Sequence, residues 1–298
     1  MCIETVKQSK VSEKIQKQVE TLENAFAQDY QKYKMQSFSD TAVRRLSEAQ
    51  QTGANCGCYA AGMAIDSLLN SYSKTSGNPA IKNEAEIIAA EFESMAKEQK
   101  MSSIGEMFSA ETLSESINVF SDFVSTKYGK RIKAEVAEFN TYRKLETIIK
   151  LAVRKGIRAL IPYYVSDVST LMPGVPNLND EGYVLPKDMY KAHWTVVSHF
   201  EVDDTGFGRI TLFEGHKKLN QHPIKGLDLF KSNSALADKF DWNEYLNLSQ
   251  NEEEQEAMMA RKEKFGQYFM EEGETILEKV SLRGKVVLIG LGKEENHQ

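Results

Sequence analysis

"GIRALIPYY", residues 156–164, is where the chain changes texture. Before it, apolar residues recur every three or four positions. Within it they run almost unbroken, and beyond it they alternate. Gly156 stands where a glycine just past a helix end stands, and residues 157–164 have the length and flanks of a short apolar strand. Upstream, helical spacing covers roughly 57–73, 83–99, 104–127 and 141–155. An earlier amphipathic pattern over 11–33 places Val11, Ile15, Val19, Leu22, Phe26, Tyr30 and Tyr33 on one face. Downstream, a loop carries Pro173, Pro176 and Pro186. "HWTVVSHFEV" (193–202) and "RITLFEG" (209–215) then alternate with period two around "DDTGFG", which predicts a hairpin. With the turn centred near Thr205, cross-strand partners sum to about 410, and His193 falls opposite the 214–217 region. Residues 234–280 read as mostly helical, and "GKVVLIGLG" (284–292) as a last strand returning to the same sheet.

Helices first and sheet afterwards is an α+β layout. The expected organisation is an N-terminal helical extension over 1–45 and one domain over 46–298. In that domain a helical lobe (about 46–155) packs on an antiparallel sheet lobe (about 156–298), which holds a charged helical insertion at about 243–280.

Composition narrows the function classes. The 298 residues are 41% hydrophobic and 27% charged, ordinary values for a soluble globular chain. A net charge of −6 gives no reason to expect a nucleic-acid partner, which usually leaves a basic patch. No apolar run approaches the roughly 20 residues that cross a bilayer, so no membrane partner is expected. The start, "MCIETVKQSKVSEK", lacks the apolar core of a secretory signal. Three cysteines form no disulfide framework and fit a reducing compartment. The expected location is cytoplasmic, or a host cytosol reached without a cleaved signal.

The chemistry concentrates in "QTGANCGCYAAGMA", residues 51–64. Zinc requires about four ligands, and no second Cys/His pair has suitable spacing; no metal and no cofactor is expected. A redox pair calls for C-x-x-C, whereas this is C-x-C. Two readings remain: small residues that let a helix pack closely, or a nucleophile at a helix start. Asn55 is a favourable N-cap, which puts Cys56 in the first turn at the positive end of the dipole. Gln51 and the Cys56 N–H could serve as oxyanion donors, and Gly53 and Gly57 leave room for close approach. Positions 56 and 58 differ by about 200° around a helix, so only one cysteine can face a cleft. Cys56 is the expected nucleophile, with Cys58 as the runner-up or a small core residue.

The matching base is a histidine from the sheet. His193 opens a strand, whereas His199 lies on the same face about 20 Å along it. Glu214, near His216 at the His193 end of the ribbon, is either the group that orients the imidazole or a strand-end carboxylate facing water. Gly53, Asn55, Gly57 and Trp194 are the expected substrate contacts.

Gln51, Gly53, Cys56 and Gly57 with Met63 and Ala64, then "ALIPYY" and "KAHWTVVS", resemble in order and spacing a papain-like cysteine peptidase. The nearest resemblance is to the actin maturation protease family, relatives of the bacteriocin-leader peptidases. "SNSAL" (232–236) and "LRGKVVLIG" are weaker echoes, and Cys58 stands where that family tends to an aliphatic residue. The resemblance implies a papain-like fold, with Cys56 as nucleophile, His193 as base and Gln51 in the oxyanion hole. It also implies cleavage, through an acyl-thioester, near the N-terminus of a protein substrate such as actin. The same Cys–His chemistry serves a transglutaminase or a glutamine deamidase, including a secreted effector. A non-catalytic adaptor acting through its charged helices is the third expectation.

Overall fold

The computed structural model describes residues 55–76, 84–102, 105–167, 172–175, 192–202, 208–213, 221–237, 239–241, 252–264, 266, 269–272 and 275–292. The expected helix over 11–33 lies outside them. The described elements run α1 (Cys56–Ser76), α2 (Ala85–Glu98), α3 (Ala110–Tyr128), β1 (Ile132–Glu138), α4 (Tyr142–Arg154), β2 (Arg158–Asp167) and β3 (Met172–Pro173). They continue with β4 (Ala192–Val202), β5 (Gly208–Phe213), β6 (Gln221–Lys225), α5 (Gly226–Ser234), β7 (Lys239–Asp241), α6 (Glu252–Lys264), β8 (Phe269–Glu272), β9 (Thr275–Lys279) and β10 (Lys285–Leu291). The fold is α+β, with a helical N-terminal part and antiparallel sheet.

The main sheet has the order β1-β10-β2-β4-β5-β6, with β3 paired to β2. Alternation decides its two faces. Leu160 and Tyr164 of β2, Val196 of β4, and Val287 and Ile289 of β10 join the core formed with α1, α2 and α3. Ile161, Tyr163, Val197 and Val286 join the core under α4 and α5. Both faces are therefore covered. Helix α4, expected in the N-terminal helical lobe, lies on the opposite side of the sheet from α1–α3. Strand β1 went unread in the sequence, although its Ile132, Ala134 and Val136 alternate with charged residues.

Local signals explain the helix bounds. The Ser109 hydroxyl accepts the Thr112 N–H at 3.2 Å, and Thr141 accepts that of Lys144 at 3.2 Å. Helix α1 approaches α2 closely: a Cβ on Gly62 would meet the Ala89 Cβ at 2.7 Å. Buried Arg158 ties α1 to β2, its Nε–H donating to Ser67 Oγ at 2.8 Å and Nη2 to Ser71 Oγ at 2.8 Å. Past Leu160, β10 no longer pairs with β2. There Ser232 Oγ donates to the Tyr164 carbonyl at 2.7 Å and Asn233 Nδ2 to that of Pro162 at 2.8 Å. The "SNSAL" segment is thus a bracket on β2. Pro162, which has no N–H to offer, sits where that ladder has ended.

The hairpin register holds from Val202↔Gly208 to His199↔Thr211, then a bulge shifts it to Val197↔Leu212 and Val196↔Phe213. The inserted residue inverts the alternation. His199 therefore faces away from the side His193 faces, correcting the expectation that they share one. Among the described residues of the 243–280 insertion, Glu252–Lys264 forms the α-helix. Phe269–Glu272 and Thr275–Lys279 form a hairpin that joins β7 in a separate three-stranded sheet. The paired charges Glu271-Glu272 and Glu278-Lys279 break the alternation of that hairpin and hid its period. No described helix is long and apolar enough to cross a membrane.

Candidate active site

The Asn55 carbonyl accepts the Tyr59 N–H at 3.1 Å, so Cys56 is the first residue of α1. Its sulfur sits at the positive end of the helix dipole, beside N–H groups that lack intrahelical partners. The Asn55 side chain, however, does not cap that turn. Its Nδ2 donates to Glu93 Oε2 at 2.8 Å, and its Oδ1 is buried without a hydrogen-bond partner. Only 5% of Asn55 is exposed. Its amide anchors the start of α1 to α2 through Glu93.

The flanking residues build a platform. A Cβ on Gly57 would meet Met107 Cβ at 2.7 Å and Trp194 Cδ1 at 3.3 Å. Gly57 therefore admits Met107 and Trp194 rather than substrate. Trp194 donates from Nε1 to the Met107 carbonyl at 2.7 Å and is 3% exposed. It too lies in the core, behind the Cys56 sulfur.

The two cysteines separate cleanly. Cys58 is fully buried, and its thiol donates to the Gly105 carbonyl at 3.3 Å. Burial, then the nearby Glu93 and Glu106 carboxylates, push that thiol well above its ordinary pKa, so it stays protonated and inert. Cys56 is half-buried and faces the sheet. The Trp194 backbone N–H donates to Cys56 Sγ at 3.5 Å across 138 positions of sequence. Covalent geometry then holds the sulfur within about 6 Å of the His193 Cα. Among the described residues the β4–β5 ladder begins at Val196↔Phe213, two positions beyond the Trp194 amide that meets the sulfur.

His193 pairs across strands with Tyr163, whose ring meets the imidazole edge-on at 5.7 Å between centroids and 87° between planes. Tyr163 belongs to the core on the α4 side, whereas Trp194 belongs to the α1 side. The strand thus brings the His193 backbone to the sulfur while its ring leans on Tyr163 at the opposite face. Tyr163, Glu93 and Met107 went unnoticed in the sequence, since each acts through contacts that no local spacing encodes. The remaining expected groups, Gln51, Gly53 and Glu214, lie outside the described residues. Among the described residues, no cluster of three or more His, Cys, Asp or Glu is placed to hold a metal ion. No family model matches this chain, and no curated protein matches it.

Proposed function

We propose that the chain is a thiol-dependent enzyme of papain-like fold that hydrolyses a peptide bond, with Cys56 as nucleophile and His193 as base. The observation that carries this reading is the Trp194 N–H on Cys56 Sγ at 3.5 Å. It joins an accessible sulfur at a helix start to the residue that follows the candidate base. In this reading the imidazole leaves Tyr163 to complete the pair with the sulfur.

In the proposed reaction His193 takes the Cys56 thiol proton, and the sulfur attacks the peptide carbonyl carbon, forming a C–S bond. The resulting oxyanion accepts hydrogen bonds from the Cys56 N–H and the Gln51 amide. Collapse breaks the C–N bond as His193 returns its proton to the leaving amine. Water, deprotonated by the same imidazole, attacks the thioester, releasing an acid and the free thiol. The N-terminal segment of a protein such as actin is the substrate class that the sequence resemblance supports.

Mass spectrometry of candidate protein substrates incubated with the chain tests this. A shortened product that disappears with Cys56→Ala and with His193→Ala supports the peptidase. A +1 Da product would instead identify a deamidase, and a joined partner a transglutaminase. Full cellular activity in the Cys56→Ala chain would identify an adaptor.

A further inference from the structure

Strand β1 lies at the end of the main sheet among the described residues, and its outward backbone is only half covered. In its antiparallel pairing with β10, alternate residues turn both backbone groups away from the partner. Ala134 is one of these. Its N–H donates to Asn118 Oδ1 at 2.8 Å, and its carbonyl accepts from Asn118 Nδ2 at 3.0 Å. Ile132 is the next, its N–H donating to Ser121 Oγ at 3.0 Å. By the same alternation Val136 and Glu138 turn outward, and no side chain of α3 meets their outward groups.

That uncovered half opens into a groove of about 500 Å³ between β1 and α3, lined by Val136 and by Glu111, Ser114, Glu115, Asn118 and Val119. The five α3 residues fall on one helix face. Val119 is 42% exposed there, so the groove offers apolar contact beside open hydrogen-bonding groups. Carboxylates dominate its charge: Glu115 stands exposed on the wall, and Glu111 and Glu138 share the Lys285 ammonium, Glu138 at 3.7 Å. The Glu111 carboxyl, which burial alone would raise, is held below its ordinary pKa by hydrogen bonds from Lys285, Ser281 and Ser109.

We propose that this groove binds an extended basic peptide segment of a partner protein, which adds to β1 as a further strand alongside Val136 and Glu138. The edge supplies main-chain hydrogen bonds, Val119 and Val136 take an aliphatic side chain, and Glu115 meets a lysine or arginine at an alternate position. Asn118 and Ser121 act as a stop that prevents the added strand from running on to Ala134 and Ile132. The groove is separate from Cys56, so it stands or falls apart from the peptidase reading.

The test uses the intact chain with a labelled, end-capped Lys-Val-Lys-Val-Lys peptide, its Glu-Val-Glu-Val-Glu counterpart, fluorescence anisotropy and residue-resolved amide exchange. The basic peptide is expected to bind and the acidic one not. The Val136 and Glu138 amides should gain protection while that of Ala134, already held by Asn118, does not change. Glu115→Lys should weaken binding about five- to tenfold, with circular dichroism showing the fold retained; Glu115→Gln, with a smaller loss, replaces it if that chain does not fold. Asn118→Ala should add Ala134 to the protected set. Absence of binding, binding without protection at Val136 and Glu138, or unchanged affinity in the Glu115 variants would overturn the proposal.

Discussion

On one face of the main sheet, α1 to α3 bury Asn55, Asp66, Glu106 and Ser116 among small residues and aliphatics. On the other, α4 and α5 press Leu145, Ile149 and Leu229 onto Ile161, Val197 and Leu212. The first face combines buried polar groups and close helix approach with the larger apolar core, Phe92, Phe120, Ile65 and Leu113 among it, whereas the second rests on a smaller cluster that is almost wholly apolar. Close approach on the first face fixes the Cys56 side chain, because its position depends on the backbone of another element.

Removing the sulfur separates the faces most sharply. In the proposed peptidase reaction, Cys56→Ala should lower peptide hydrolysis by about a thousandfold or more while the unfolding midpoint in urea barely moves. Ile149→Ala should do the reverse, costing about 2–5 kcal/mol in urea unfolding while alkylation of Cys56 in the folded chain continues at an unchanged rate. If Ile149→Ala also slowed that alkylation, the two faces would be coupled and the division above would be wrong.

Gly57→Ala probes the approach itself. An added methyl at 2.7 Å from Met107 Cβ must displace Met107 or Trp194, at about 1–3 kcal/mol. The shift should show in Trp194 fluorescence as well as in stability. Unaltered fluorescence and stability would mean that the platform is loose. The two thiols give a smaller contrast. Iodoacetamide at pH 8 should modify Cys56 and spare Cys58, whose raised pKa keeps it protonated there and whose burial blocks access. Denaturant should erase the difference.

The smallest effect lies at Glu111. Its folded pKa is depressed, so its contribution is complete above the ordinary value of 4.5 and is lost as pH falls through the lower folded value. Glu111→Gln should cost up to about 1 kcal/mol at pH 7, since the pair with Lys285 is partly solvated. The cost should vanish in acid. A pH-independent cost would point to packing.

Periodicity revealed much of this molecule before any coordinates. The four long helices stand close to their expected spans, and the hairpin turns where "DDTGFG" sits, because helix and strand spacing are local properties. The bulge between Val197 and His199 was hidden, since a one-residue insertion shows only when the partner strand is known. The helical angle showed that Cys56 and Cys58 face different ways, and the first-turn position of Cys56 singled it out; Cys58 is the buried one. The inward turn of Asn55 was not, because Glu93, which causes it, lies 38 positions away on another helix. Trp194 looked like a cleft residue for the same reason: the Met107 carbonyl that holds it leaves no trace in spacing.

Strand β10 lies between β1 and β2, and the ribosome makes it after every other described strand. During synthesis, therefore, the sheet waits for its middle. A nascent chain halted before residue 285 leaves β1 without its partner and β2 open along one side. Cys56 and Trp194 would both already have been translated, yet the sheet that carries the amide meeting that sulfur would be incomplete. Translation itself thus holds the sheet open until its last strand arrives.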